Sequence, residues 1–508
     1  MRSSAPLHLL IVAASALIGH ALPRAEPELL VERQASSNLV FAHFVIGIVS
    51  DRTSSADWDD DMIRAKAIGI DAFALDIGVD SYTDEQLGFA YESANNNGMK
   101  VFISFDFNWY TTAQGTDVGA KIAQYAGLPA QLIVNGLVFA SSFAGDGVDV
   151  AAIRAAAGVD IYWAPNFHPG ESDFSVLDGA LNWMAWENNG DNKAPSGGVT
   201  ITVQEGDNSY LSTLAGKGYI APVSAWFSTH FGPEVSFSKN WVFPSDLLWY
   251  ERWVEILALK PTFVEIVTWN DYGESHYIGP LSSIHTDDGS SKWANDMPHD
   301  GWLEMAIPFI QAYKAGASSP NAYITSDQII YWYRVAPKTL NCAATDTTEV
   351  PANNASGNYF EGLPNGWDSM MDDVFVVPLL TAAGTVVVNS GGTAYIFDAP
   401  AGASAFSVPF QVGAQSFALS RNGAEVMSAT SLKLIQNVCP CGIYDFNAYV
   451  GTVPASPVDP LGADGLAQLT VGLHVACEAT PSLPATPPAT TAATTTIVAT
   501  AAPTSPPV

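Results

Sequence analysis

From Leu39 to about Gly316 the chain alternates short apolar, β-prone runs with amphipathic helical segments, a rhythm that few folds accept. Strands joined through helices run parallel, so the pattern is that of repeated β/α units. The runs are Val40 to Val49, Ala72 to Ile77, Val101 to Phe105, Leu132 to Phe139, Val159 to Ala164, Leu181 to Trp186, Ile220 to Phe227 and Thr262 to Trp269. About eight such units in about 280 residues predict a (β/α)8 TIM barrel. The helices between them carry their own signals. Thr83-x-x-Gln86 reads as a capping box, Leu87, Ala90, Tyr91 and Ala94 share one helical face, and Gly98 ends the helix. Ser245 is expected to cap a helix with Trp249, Trp253, Ile256 and Leu257 on one face, stopped by Pro261.

At 508 residues the chain exceeds one compact core, and its texture changes where a second unit is expected. From about Asn321 the sequence turns to β-prone runs separated by Gly and Asn, as in Thr385-Val386-Val387-Val388-Asn389-Ser390-Gly391-Gly392. The barrel is therefore assigned to residues 34–320 and a β-sandwich-like accessory domain to 321–478. Arg2, the apolar stretch Leu7 to Ile18 and the small-residue site Gly19-His20-Ala21 read as a secretory signal over 1–21. The charged segment 22–33, ending in Glu32-Arg33, reads as a pro-peptide, and the Pro/Ala/Thr/Ser-rich stretch 479–508 as a disordered tail.

A secreted chain, extracellular or associated with the cell wall, makes disulfides the expected state of Cys342, Cys439, Cys441 and Cys477. Only Pro440 separates Cys439 from Cys441, which strains a direct bridge, so these two are expected to pair with Cys342 and Cys477 in either order. A zinc site is the alternative, without a Cys-x-x-Cys or a His-rich partner to support it. Asn354-Ala355-Ser356 is an N-glycosylation sequon, placing a glycan on Asn354.

Charge then removes whole classes of function. With 20 Lys+Arg against 51 Asp+Glu the net charge is −31, which repels nucleic-acid phosphates and anionic lipid. Apolar residues at 48% against 14% charged exclude wholesale disorder. There is no Walker loop and no Gly-x-Gly-x-x-Gly after a strand, so nucleotide chemistry is also a poor fit. The expected partner is a neutral polysaccharide met by a monomer, with no nucleic acid, no membrane, no cofactor and no metal.

In such a barrel the chemistry sits at the C-terminal ends of the strands. Those positions hold Asp76, then Asp106 with Asn108 and Trp109, then Asn166 and His168, Trp186 and Glu187, Trp226 with His230, and finally Trp269-Asn270-Asp271-Tyr272-Gly273-Glu274-Ser275-His276. Aromatic faces stack on pyranose rings while carboxylates and amides bind hydroxyls, so the mixture suits a neutral sugar polymer. Cleaving a glycosidic bond needs two carboxyl groups, one protonated and one ionised, and Asp271 and Glu274 are the leading pair. The bland alternative is a solvated acidic loop. Asp76 and Asp106 have a capping reading beside that of substrate contact. Trp58, Trp249 and Trp253 are expected in the core, and His43 is read as a satisfied buried histidine. The run Asp57 to Asp61 opens a helix, where carboxylates complement the dipole, and His285-Thr286-Asp287-Asp288 reads as a turn rather than a metal site.

Val40-Phe41-Ala42-His43-Phe44, Asp71-Ala72-Phe73-Ala74-Leu75-Asp76, Ser104-Phe105-Asp106 and above all Thr268-Trp269-Asn270-Asp271-Tyr272-Gly273-Glu274-Ser275 resemble the fungal endo-α-1,3-glucanases, or mutanases, of glycoside hydrolase family 71. The resemblance runs from about Leu39 to Cys477. It implies a barrel followed by a β-sandwich, an α-1,3-glucan substrate and inversion at the anomeric carbon. It places the catalytic carboxylates on Asp271 and Glu274, and Asp76 and Asp106 in the substrate cleft. The α-1,3-glucan-binding module that some members append does not follow the tail of this sequence. Inversion needs carboxyl groups about 6.5 to 9.5 Å apart, against about 5 to 5.5 Å for retention. Nothing in one sequence separates the roles, and Glu274 as acid with Asp271 as base is the working assignment. Two competing readings remain: a catalytically silent cell-wall glucan-binding protein, and a barrel hydrolase of another neutral glucan.

Overall fold

The computed structural model describes residues 38–352 and 359–455 and the backbone of 469–472. The expected signal, pro-peptide and tail, together with Asn354 and Cys477, lie outside the described residues. In chain order the first part contributes β1 (Leu39–Val45), β2 (Ala72–Ile77), β3 (Lys100–Asp106), β4 (Leu137–Phe143), β5 (Ile161–Trp163), β6 (Gly179–Leu181), β7 (Gly218–Val223), a hairpin of β8 (Ser228–Phe231) and β9 (Lys239–Val242), and β10 (Phe263–Ile266). Apart from the hairpin these strands are parallel. One series of ladders runs β1-β2-β3-β4-β5 and the other β1-β10-β7-β6, making a curled sheet within a mixed α/β fold. At the ends of the series the flanks of β5 and β6 meet, where Asp178 N–H donates to Trp163 O at 3.1 Å and Leu181 N–H to Pro165 O at 2.9 Å.

Strand alternation sorts the side chains into two layers. Phe41, Phe102, Phe139, Tyr162 and Phe263 share one buried cluster on the concave side. Their neighbours Val40, Val101, Val138, Ile161 and Val264 belong to another, shared with the helices. These helices are α1 (Asp59–Ile68), α2 (Thr83–Asn97), α3 (Gly115–Tyr125), α4 (Val150–Ala157), α5 (Val203–Leu214), α6 (Leu248–Leu259) and α7 (Asp300–Lys314). Trp58, Trp249 and Trp253 are fully buried among them.

Local chemistry places some boundaries differently from the sequence pattern. The expected strand Leu132 to Phe139 is a tight turn through Asn135 and Gly136, both at positive φ, after which β4 continues to Phe143. β6 stops at Leu181 because the Asn182 carbonyl oxygen of the side chain accepts the Met184 N–H at 3.1 Å and turns the chain away. Thr83 caps nothing: α2 begins after Tyr82, and Gln86 instead donates to Arg52 O at 2.8 Å. Ser245 likewise bonds Phe243 O, and α6 starts at Leu248. A true capping box lies at Thr202 and Glu205, at the start of α5.

Beyond α7 come β11 (Gln328–Arg334), β12 (Asp373–Leu380), β13 (Gly384–Ser390), β14 (Thr393–Ala399), β15 (Gln415–Arg421), β16 (Ala424–Thr430) and β17 (Ala448–Val453). β11 pairs antiparallel with β12 and β17, while β14-β13-β15-β16 form a second antiparallel sheet. The alternation along β11 shows how they pack. Ile329, Tyr331 and Tyr333 join Val386, Val388 and Phe417 of the second sheet, whereas Ile330 and Trp332 join the main core beside Trp302 of α7. Cys342 is bonded to Cys439, and Cys441 is also in a disulfide.

One buried ion pair ties α1 to the last parallel strand's loop. Asp61 accepts from Arg52 Nη2 at 2.7 Å, Trp269 Nε1 at 2.8 Å and Ser283 Oγ at 2.9 Å. Asp61 thus does more than complement the helix dipole. Asp61→Ala leaves Arg52 buried without its counter-charge and should cost about 3 to 5 kcal/mol in urea denaturation; a loss below about 1 kcal/mol would show the pair to be dispensable.

Candidate active site

The inner face of the sheet changes character along each strand. Going up two residues at a time, Phe41 is followed by His43, Phe102 by Ser104 and Asp106, and Phe263 by Glu265. Apolar rings fill the bottom and ionisable groups ring the top.

The loop after β10 is pinned from several sides. Trp269 N–H donates to His43 O at 2.7 Å, Asn270 bonds both backbone groups of Val45, and the Tyr272 hydroxyl donates to Pro280 O at 2.9 Å. This leaves Asp271, whose side chain is 25% exposed, beside the buried Glu274. Glu274 N–H donates to Asp271 Oδ1 at 2.9 Å. The Lys239 ammonium, delivered by β9, contacts Glu274 Oε1, and His276 Nε2 lies 2.9 Å from Oε2. Asp271 N–H donates to Thr268 Oγ1 at 2.9 Å, and His276 Nδ1 lies 3.1 Å from the same oxygen, which fixes the ring with its Nε2 toward Glu274.

These contacts push the two carboxyls apart. Burial favours a protonated Glu274, but the Lys239 and His276 contacts overcome it and hold the carboxyl down at about 2. Asp271 is pushed up, chiefly by burial and, against His276, by the neighbouring Glu274 anion. The contacts run against the working assignment: the ammonium and the imidazole favour the ionised form of Glu274, while Asp271 is the member of the pair that burial raises. Asp288 stands beside them, raised to about 6 by burial and by Asp271.

Across the mouth His43 Nδ1 lies 2.8 Å from Glu265 Oε1 and Nε2 lies 3.5 Å from Asp76 Oδ1. Burial would discharge this imidazole, yet Asp76 and Glu265 raise it to about 10. His43 is a buried cation with two counter-charges. Asp106, whose Oδ1 accepts the Asn108 N–H at 2.8 Å, is pushed up to about 8 by burial and by Asp76. Trp183 packs edge-on against His43, with ring centroids 4.7 Å apart.

The structure separates the sequence-expected residues into two groups. Asp76, Asp106, Asp271, Glu274 and His276 stand around the mouth, and Trp109, 63% exposed beside Gly78, offers an open ring at its rim. The other three strand-end tryptophans are buried and present no face for a sugar. Trp186 donates to Trp226 O and stacks on Phe243, Trp226 donates to Phe446 O, and Trp269 donates to Asp61. His230 is buried between Asn240 and Asp346, while Asn270 and Tyr272 hold the loop. Asn166 is buried and joins Leu181 O to the Tyr210 hydroxyl. Glu187 lies close enough to Glu251 of α6 to help raise its carboxyl, on the helix side of the sheet. His168 is partly exposed and bonded to Asp146 at 2.7 Å.

Lys239, Lys193, Asp288 and Trp183 are the residues that strand-end logic missed. Lys193 lies 3.9 Å over the Trp241 ring and is lowered to about 8, chiefly by burial. Both lysines come from connecting segments outside the parallel strands, and only the scarcity of cations in this acidic chain singles them out. Ligand atoms of Asp271, Glu274 and His276 lie within 4.8 Å of one another, as do those of Asp146, His168 and Glu171. At the first group Lys239 already supplies the positive charge, so a metal ion there would meet a cation.

The sequence profile of glycosyl hydrolase family 71 matches residues 36–461. A mutanase of Penicillium rubens is 41% identical over 87% of this chain and 95% of its own length. The glucan endo-1,3-alpha-glucosidase of Schizosaccharomyces pombe is 33% identical over 84% of this chain and 96% of its own. The ascus wall endo-1,3-alpha-glucanase of the same yeast is 26% identical over 70% and 81%. No described helix is long and apolar enough to cross a membrane.

Lys239→Met removes the charge that keeps Glu274 ionised, so the Glu274 titration should move upward by roughly 1 to 3 pH units. Carbon-13 NMR of glutamate-labelled protein reads this directly, and a titration identical to wild type would assign the low value to His276 alone.

Proposed function

The chain belongs to glycosyl hydrolase family 71 and is a glycoside hydrolase, and from that premise we propose that it hydrolyses the α-1,3-glucosidic bonds of α-1,3-glucan as a secreted enzyme, within the chain and with inversion. The names of its relatives and the acid-lined mouth with the exposed Trp109 at its rim support this substrate. The observation that carries the mechanism is the divergent charge of two adjacent carboxyls, Glu274 held ionised and Asp271 pushed toward its protonated form. In this reading Asp271 gives its proton to the glycosidic oxygen as the bond to the anomeric carbon breaks. Glu274 takes a proton from the water whose oxygen attacks that carbon, and the proton returns to Asp271 between turnovers.

The nearest oxygens of the pair lie within 4.8 Å, closer than the about 6.5 to 9.5 Å that admits a water. Inversion therefore requires the pair to open when glucan binds. Glu274 is locked by two partners, so Asp271, held at Oδ1 by one backbone N–H, is the member assigned to move. We further take the curled sheet as a (β/α)8 barrel completed between β5 and β6, on the strength of the two hydrogen bonds there, and residues 321–478 as a β-sandwich-like domain. The apolar cluster shared by its two antiparallel sheets supports that division.

Reducing-sugar release is expected from α-1,3-glucan and not from β-1,3-glucan or starch. Asp271→Asn and Glu274→Gln should each lower it at least about a hundredfold without loss of folding. Near-normal turnover by either folded variant removes that residue from the mechanism, and activity confined to another glucan overturns the substrate. Proton NMR of the first product should show the β-anomer; the α-anomer would mean that the resting spacing is the working one and that the enzyme retains configuration.

A further inference from the structure

A cavity of about 630 Å³ opens beside the mouth, over the C-terminal ends of β4 to β6 and the start of α5. It contains neither Asp271 nor Glu274, yet it adjoins both walls of their mouth. On one side it is lined by Asn108, whose backbone N–H bonds Asp106, and by Trp183, which packs on His43. On the other it is lined by Asn192, next to the Lys193 that neighbours Glu274 in charge.

The lining chemistry is narrow. Five asparagines, Asn108, Asn166, Asn182, Asn188 and Asn192, face the cavity with Trp183, and its acids are accompanied by no lysine or arginine. An amide offers a donor and an acceptor at once, as a sugar hydroxyl does, whereas phosphate and carboxylate ligands need cations, and the one histidine of this lining, His168, is already paired with Asp146. The volume is that of an ordinary ligand pocket and accommodates more than one hexose. Asn192 has both amide atoms buried without a hydrogen-bond partner, in a loop otherwise closed by its own bonds. Such a group is costly unless a ligand satisfies it.

We infer that this cavity is a distal glucan subsite, binding glucosyl units of the chain remote from the scissile bond chiefly through the Asn192 and Asn108 amides at its two sides, with the amides of Asn166, Asn182 and Asn188 held by the protein as its fixed wall. The inference rests on the glucan reading of the mouth and adds to it how the enzyme holds a polymer rather than a short oligosaccharide. Remote binding of this kind is what distinguishes a long substrate from a short one.

The test is calorimetric titration of an α-1,3-linked hexasaccharide into Asp271→Asn protein, alone and combined with Ser209→Trp or Asn192→Ala. Ser209 is an exposed α5 residue lining the cavity, so tryptophan there fills space without disturbing the core; Asn192→Ala removes an amide that supports no other group. Affinity should fall at least about tenfold with Ser209→Trp and several-fold with Asn192→Ala, with cooperative thermal unfolding retained in both. Unaltered affinity in both variants overturns the subsite, whatever the wild type hydrolyses. Binding that Ser209→Trp weakens, in a protein whose wild type releases no sugar from α-1,3-glucan, upholds the subsite and overturns the hydrolytic reading. No binding by the parent overturns the subsite.

Discussion

A parallel sheet that curls on itself has an inside that must be filled, and in this protein it is filled with aromatic rings. Phe41 lies within 5.0 to 5.5 Å, centroid to centroid, of Phe102, Phe139 and Phe263, and Phe139 stacks on Tyr162 at 5.1 Å. Rings of this size, packed edge to face, fix the separation of the strands that carry them. Because side chains alternate, the next inward positions of the same strands are fixed too. His43, Glu265 and Asp106 therefore meet above the plug at the C-terminal end of the strands.

The second constraint is electrostatic. A chain of net charge −31 has few cations, and the buried ones are placed against particular carboxylates. Arg52 meets Asp61, Arg252 grips Asp207 with both Nη atoms, and Lys239 meets Glu274. The first two pairs are structural. At Glu274 the same physics favours the carboxylate anion, while Asp271 beside it is raised by burial.

Lys239 is itself held in place by the later part of the chain. Its hairpin is braced where His230 meets Asp346 and where Asn240 donates to Phe360 O and Gly362 O. Trp226 donates to Phe446 O and His299 bonds Ala448 O, coupling the loops around the mouth to the segment leading into β17. The antiparallel sheets thus do more than cover α6 and α7. They anchor the connection between β11 and β12, whose Asp346, Phe360 and Gly362 hold the hairpin that delivers the counter-charge.

The sequence by itself determined the alternation of parallel strands and helices, the position of Asp76 and Asp106 at strand ends, and the family, through the motif that carries Asp271 and Glu274. These are local facts: periodicity two within a strand, a helix between strands, and a short motif whose residues stay adjacent however the chain folds. Only the tertiary structure decided which tryptophans are walls and which is open, because Trp186, Trp226 and Trp269 are hidden by partners 40 to 220 residues distant in sequence, whereas Trp109 is left exposed. It also decided which carboxyl is drawn toward the ionised form. That depends on Lys239, 35 residues from Glu274 along the chain and in contact with it across the mouth, and charge acts through space rather than along sequence.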